Sequence, residues 1–270
     1  MSFDPNFVIN VIYPAANAAY LIMSLPPEKL SLPAGYSYIG TIEANAQDAA
    51  GARTKTDPIQ QRIADSAISE SNIFGLVLWN AALSTALVSF RGTKTLWDSI
   101  ADIDAVPVPY IPAPGSGMAH MGFQLVYELI RKSAAGILAG GGCPGVKRVI
   151  VTGHSLGGAL AMLGGFDIAK NVLPGIPIEL YTFAGPRTGD PEFAGNFNKL
   201  IPSCFRVVNF MDAVPQVPLP PLYEHVGTEE LVHGGFKILD VTYAHHLTTY
   251  LMGLQKLAAA APPATGLAIP

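Results

Sequence analysis

The chain has 270 residues, of which 50% are hydrophobic and only 13% charged, against roughly a quarter charged in ordinary soluble domains. That length accommodates one large α/β domain over residues 1–270, with room for a substantial core. A net charge of −4 without any lysine or arginine cluster excludes nucleic acid as an expected partner, and a mean hydropathy of +0.34 suits a large core or work at a lipid surface.

The stretch Val8–Leu25 is apolar but interrupted by Asn10, Pro14 and Asn17, and the first positive charge is Lys29. It therefore lacks the basic start of a signal peptide and reads as a helix packed on the body, with a surface anchor as the alternative; no transmembrane segment is expected. Cys143 and Cys204 are too few for a disulfide framework, and no N-x-S/T sequon occurs. The sequence as given reads as cytoplasmic; a secreted chain whose signal had been removed would read the same.

Tyr36–Glu43 alternates as a strand does, and Ile59–Ile68 has the period of an amphipathic helix. Phe74–Trp79 and Thr85–Phe90 are β-rich runs joined by Asn80-Ala81-Ala82, a hairpin signature. Val106–Gly117 is a region rich in proline and glycine, and Gly122–Ser133 reads as a helix. Residues 140–145 match G-x-G-x-x-G literally, yet they precede a strand instead of opening a helix, so they read as a loop. Arg148–Thr152 is a β-branched strand, Leu156–Ala169 a helix, and Ile178–Phe183 and Phe205–Phe210 two further strands. A proline-rich loop over 214–222, a helix near Leu247–Leu257 and a flexible tail over Ala258–Pro270 complete the chain. Such alternation predicts an α/β fold: a mostly parallel central sheet with an antiparallel portion and flanking helices, and reacting groups at the carboxyl ends of the strands.

Gly153-His154-Ser155-Leu156-Gly157 is a G-x-S-x-G between that strand and that helix. In this setting the serine stands on a tight, strained turn with its hydroxyl above the sheet edge, and side chains at the flanking glycines would collide with neighbouring backbone. A hydroxyl is a poor nucleophile at neutral pH, so Ser155 needs a base, and the base an orienting carboxylate. In hydrolases with this turn both follow the serine in the chain. Asp212 comes just after the strand Phe205–Phe210 and is the preferred acid. Asp190 is the alternative, although Thr188-Gly189-Asp190-Pro191 reads equally well as a turn with a side-chain cap. Asp167 falls mid-helix, and Glu229 and Glu230 read as a solvated pair. Among the histidines, His154 adjoins the nucleophile and points away from it, His120 precedes the serine, and His225 and His233 read as packed or surface imidazoles. The pair His245-His246, just before an aliphatic helix, supplies the base. An oxyanion needs two fixed N–H donors: Leu156, following the nucleophile, is one, and Thr93, in the turn Arg91-Gly92-Thr93, is the other.

These segments resemble the fungal-type (class 3) lipase family of α/β-hydrolases. The resemblance is carried by Val88–Thr93, Ile100-Ala101-Asp102, His120–Phe123, Thr152–Gly158, Tyr181–Asp190, Asn209–Pro215 and His245–Leu251, in the family's order across roughly 74–255. It implies a triad of Ser155, Asp212 and a C-terminal histidine. It further implies an oxyanion hole of Thr93 and Leu156 with Asp102 bracing the Thr93 hydroxyl, and an amphipathic lid near Lys94–Ile100. Aligned to members reading His-Ser-x-x-x-Tyr-Leu, His245 is the base; aligned to those reading His-Leu, it is His246; His245 is preferred. The adjacent histidines, and the lack of a clear signal peptide or disulfides, set the chain apart from the secreted fungal members and nearer a bacterial or intracellular branch.

The expected activity is carboxylic-ester hydrolysis on lipid esters, as in a triacylglycerol-type lipase or esterase, with no metal or organic cofactor. Phospholipase A1, mono- or diacylglycerol lipase and feruloyl esterase are the rival activities, and a catalytically inactive lipid-binding scaffold is the non-enzymatic one. The expected partners are a lipid or other ester and, transiently, a lipid–water interface.

Overall fold

In chain order the strands are β1 Ser37–Glu43, β2 Ile73–Asn80, β3 Thr85–Phe90, β4 Pro107–Pro109, β5 Met118–His120, β6 Arg148–His154, β7 Ile178–Phe183, β8 Ser203–Asn209 and β9 Thr228–Val232. The helices are α1 Pro5–Phe7, α2 Tyr13–Leu21, α3 Met121–Ile137, α4 Leu156–Asp167, α5 Pro191–Leu200 and α6 Leu247–Ala260. These come from a computed structural model that describes residues 2–44, 65, 71–93, 106–235, 237, 240 and 242–260. Apart from Asp65, the helix expected over Ile59–Ile68 lies outside the described residues, as do the lid segment and Asp102.

Seven strands form one sheet in the order β1-β2-β3-β6-β7-β8-β9, and β4 pairs with β5 separately. β2 runs antiparallel to both β1 and β3; from β3 to β9 every neighbour is parallel. The strands read as nearly continuous apolar runs because helices cover both faces. Val77, Trp79, Val149 and Val151 turn to one side, where they pack with Phe123, Tyr127, Leu160 and Leu163 of α3 and α4. Leu76, Leu78 and Ile150, the intervening positions, turn to the other side against Ala15, Ala16, Tyr250 and Leu254 of α2 and α6. Each such aliphatic side chain contributes about 1.5–3 kcal/mol when fully buried.

The N-terminal apolar stretch is a helix packed on the sheet, with a twist in its geometry. Pro14 has no N–H and its ring crowds the carbonyl four residues back, and the turn before it, Val8–Ile12, widens to a π-helix whose end bond runs from Tyr13 N–H to Val8 O. No described helix is long and apolar enough to cross a membrane. Several elements exceed the sequence reading, among them α5 and the β4–β5 pair. α3 runs on to Ile137, and α6 continues through Ala258–Ala260, so the expected tail starts later and its remainder lies outside the described residues. β9 is an edge strand paired with β8, in which Glu229 stays exposed and Glu230 partly so; the two glutamates carry little strand propensity, and pairing with β8 overrides it.

Candidate active site

Ser155 follows β6 directly and occupies the cap position of α4, with φ 60° and ψ −127°. A serine at such a position ordinarily turns its oxygen onto the helix amides, but here the hydroxyl makes no capping bond. The positive φ turns it away, a conformation that costs a non-glycine residue on the order of 1–3 kcal/mol. Close packing sustains that turn. A Cβ on Gly153 would sit 2.0 Å from the Gly157 carbonyl oxygen, and one on Gly157 would sit 2.3 Å from that of Phe90. The Ser155 N–H donates to the Phe183 carbonyl at 2.9 Å, anchoring the elbow to the end of β7.

The released hydroxyl meets His245: Ser155 Oγ lies 2.8 Å from His245 Nε2. On the other side of the ring, His245 Nδ1 lies 2.8 Å from Asp212 Oδ2. Ser155, His245 and Asp212 are thus joined in one hydrogen-bonded series, although 90 residues separate the serine from the histidine and 33 the histidine from the aspartate. Burial alone would raise the Asp212 carboxyl. The His245 imidazole, the Tyr250 hydroxyl and the Val214 N–H outweigh it and hold the group below the ordinary carboxylate value. His246 is exposed and faces elsewhere, with Nε2 3.3 Å from the Thr242 hydroxyl.

The loop carrying His245 is tied down carbonyl by carbonyl. Thr249 Oγ1 donates to Tyr243 O at 2.6 Å, Asn209 Nδ2 to Ala244 O at 2.9 Å, and His154 Nε2 meets His245 O at 2.8 Å. Asn209 also accepts the Gly234 N–H at 3.0 Å, so the end of β8 holds two loops at once. None of these groups was singled out in the sequence as supporting the base. The His154 imidazole points away from the nucleophile, engaging backbone and Tyr20, not the serine hydroxyl.

At the end of β3, Gly92 packs against the elbow: a Cβ there would lie 3.0 Å from the Ser155 Cβ and 2.8 Å from the His154 carbonyl oxygen. Thr93, the next residue, is buried beside it. Leu156 opens α4, so its N–H is among the first-turn amides that lack an intrahelical acceptor. Arg91 is fully buried behind this loop and donates from Nη1 to Gly92 O at 2.9 Å and from Nη2 to Ser71 O at 3.1 Å. Thr93, Ser155 and Asp212 therefore follow the carboxyl ends of β3, β6 and β8, one edge of the sheet.

The remaining candidates have other partners. Asp190 caps α5, its Oδ1 accepting from Phe193 N–H at 2.8 Å and Met118 N–H at 3.0 Å. Asp167 is buried and paired with Arg131, Tyr127 and Asn171. His120 caps α3, its Nδ1 accepting from Gly122 N–H at 3.1 Å and Phe123 N–H at 3.4 Å. His225 Nε2 meets the Pro215 carbonyl at 2.8 Å, and the His233 ring lies 5.5 Å from that of Phe210. Glu229 lies 3.5 Å from Arg206.

Comparison with known proteins identifies the family. The family model for class 3 lipases matches residues 87–221, half of the chain, a stretch that carries Thr93, Ser155, Leu156 and Asp212 and ends before His245. A lipase of Rhizomucor miehei is 36% identical over 149 residues, covering 54% of this chain and 41% of the relative. A chloroplastic phospholipase A1-Igamma2 of Arabidopsis thaliana is 37% identical over 132 residues, covering 38% of this chain and 25% of the relative. The chain thus spans less than half the length of these curated relatives. Among solved structures, the triacylglyceride lipase of Rhizomucor miehei superposes with a TM-score of 0.63 at 25% identity, covering 86% of this chain and 82% of that one. The mostly parallel sheet with helices on both faces is the α/β-hydrolase fold, and the chain belongs to the class 3 lipase family.

Proposed function

We propose that the protein hydrolyses carboxylic esters of lipids, with Ser155 as nucleophile, His245 as base and Asp212 as the acid that orients it. The observation that carries this reading is the unbroken series from Ser155 Oγ through His245 to Asp212 Oδ2, with 2.8 Å at each step. His245 Nε2 takes the Ser155 proton as Oγ attacks the ester carbonyl, and Asp212, kept ionised, stabilises the imidazolium that forms. The negative charge gathered on the carbonyl oxygen is held by the N–H groups of Leu156 and Thr93. His245 then passes its proton to the departing alcohol, leaving an acyl group on Ser155. A water deprotonated by His245 attacks that acyl group, and His245 returns the proton to Ser155 Oγ as the acyl–oxygen bond breaks and the fatty acid leaves. Every group named lies on one sheet, its helices or the loops that join them, which supports a single catalytic domain.

Contact with a lipid surface is supported by the stretch 210–223, whose sole charged residue, Asp212, is buried. Phe210, Leu219 and Leu222 in that stretch are 63%, 69% and 52% exposed. They follow the strand ends that bear the site, so the same edge of the molecule would meet the substrate phase. The relatives' names include both a lipase and a phospholipase A1, which keeps a phospholipid ester as the second substrate reading. Hydrolysis rates on p-nitrophenyl esters of rising chain length, on emulsified triacylglycerol and on phosphatidylcholine vesicles decide between them, with Ser155→Ala as control. Preference for long chains and emulsion is expected; equal activity in Ser155→Ala would refute the serine mechanism, and no hydrolysis of any of these esters by the wild type would leave the inactive scaffold.

A further inference from the structure

We propose that Tyr20 and His154 are positioning residues that bind the Gly92–Thr93 loop and the His245 backbone to the strand carrying Ser155. The inference rests on the catalytic reading above and adds two groups to it, one of them on the N-terminal helix α2.

The hydrogen-bond directions follow from the partners. His154 Nε2 lies 2.8 Å from the His245 carbonyl oxygen, which can only accept, so Nε2 carries the proton. Burial, with the neighbouring His245 adding to it, lowers the His154 imidazole to about 3, so the ring is neutral at working pH and Nδ1 is an acceptor. The Tyr20 hydroxyl, 2.7 Å away, therefore donates to Nδ1. Its oxygen in turn accepts the Gly92 N–H at 3.0 Å. One polarised series runs from Gly92 N–H through Tyr20 and His154 to His245 C=O, and each bond strengthens its neighbours. It links residues 72 and 134 positions from Tyr20 in the chain.

The series touches three of the segments that the reaction needs. His245 O belongs to the residue whose ring faces Ser155, His154 adjoins Ser155, and Gly92 precedes Thr93. A leucine or phenylalanine would fill the space under His245 without the cost of burying an imidazole. What an apolar side chain cannot do is hold a carbonyl and a hydroxyl at fixed places, and a misplacement of about 1 Å in a reacting group costs on the order of a hundredfold in rate.

The test compares kcat, KM and thermal midpoint of Tyr20→Phe, His154→Leu and His154→Gln on a soluble short-chain p-nitrophenyl ester. Tyr20→Phe keeps the ring and removes the hydroxyl; its kcat should fall about tenfold while KM changes less than about twofold. His154→Leu should lose about a hundredfold, and His154→Gln, whose carboxamide N–H can still reach the His245 carbonyl, should recover at least about tenfold of that. If His154→Leu does not fold, Tyr20→Phe decides alone. Wild-type kcat in Tyr20→Phe, or no difference between His154→Gln and His154→Leu, would overturn the proposal. Retention of activity in Ser155→Ala, assayed beside them, is the separate result that would overturn the catalytic reading on which it rests.

Discussion

Tyr250 and His245 share one oxygen of Asp212: the phenol hydroxyl donates to Oδ2 at 2.6 Å and the imidazole Nδ1 meets the same atom at 2.8 Å. The other oxygen, Oδ1, accepts the Val214 N–H at 3.0 Å. The carboxylate is thus held on both sides, and its free rotation about χ2 is blocked. Hydrogen bonds to a charged group are worth about 1.5–3 kcal/mol, so Tyr250→Phe should lower kcat by about tenfold at pH 7. Steady-state kinetics on a soluble ester measure this; an unchanged kcat would mean that His245 and Val214 suffice to orient Asp212.

Buried histidines set the acid limit of stability. Burial lowers His120 to about 4 and His154 and His225 to about 3, whereas the unfolded chain titrates them near about 6.5. Below that pH the unfolded state binds more protons than the folded one. Their contribution is therefore complete above about pH 6.5 and is lost as pH falls toward the folded values. Each such histidine costs about 2 kcal/mol by pH 5. Asp212, held below the ordinary carboxylate value, adds a further loss at lower pH, because its contribution vanishes as pH falls through its folded value. The thermal midpoint should drop by more than about 10 °C between pH 7.5 and 5. A flat midpoint over that range would contradict the assignment of these rings as neutral and buried.

Two glycines give opposite predictions. Gly153→Ala drives a methyl group to 2.0 Å from the Gly157 carbonyl oxygen, so the elbow must shift, with a loss of more than about 3 kcal/mol. Gly136 lies exposed in α3 with nothing within 4 Å of an added Cβ. Gly136→Ala should stabilise by about 0.5–1 kcal/mol through helix propensity. Chemical denaturation of both variants measures the contrast, and destabilisation by Gly136→Ala would count against the position of α3.

Asp167, on α4, is buried with both carboxylate oxygens occupied: Arg131 Nε and Nη2 donate at 2.7 and 2.9 Å, and the Tyr127 hydroxyl at 2.8 Å. Arg131→Leu leaves that carboxylate buried without its cation and should destabilise by about 3–5 kcal/mol. Activity at low temperature should persist, since the group is remote from Ser155 in function. Loss of kcat without loss of stability would show that the pair does more than tie α3 to α4.

Much of the sheet was legible because its strands are β-branched runs with both faces covered. Ile178–Phe183 appears with the expected bounds. The Arg148 strand instead extends through Gly153-His154, since pairing with β7 continues to Phe183 where propensity alone would stop. Ser155 was legible from local sequence, because the elbow is made by neighbouring residues. Asp212 was legible from its place after a strand. The choice between His245 and His246 rested on alignment alone, because two adjacent residues differ in side-chain direction and only a fixed loop distinguishes them. Tyr20 and Asn209 carried no local signal, since each acts through contacts 25 or more residues away in the chain, and Tyr250 was marked only as the tyrosine of the His-Ser-x-x-x-Tyr-Leu pattern, not as a partner of Asp212. The proline-rich segment after Val106 hid β4, since proline lacks the amide that marks a strand; Pro107 and Pro109 are tolerated there because this two-stranded pairing is all edge.

The claim on which the rest depends is that Ser155 forms the covalent acyl intermediate. Treating the protein with a p-nitrophenyl alkylphosphonate and mapping the adduct by peptide mass spectrometry tests it directly. One phosphonyl group on Ser155, released p-nitrophenolate in equal amount, and no reaction in Ser155→Ala are the predicted results. An adduct on another residue, or an active enzyme that survives the reagent unmodified, would contradict the account.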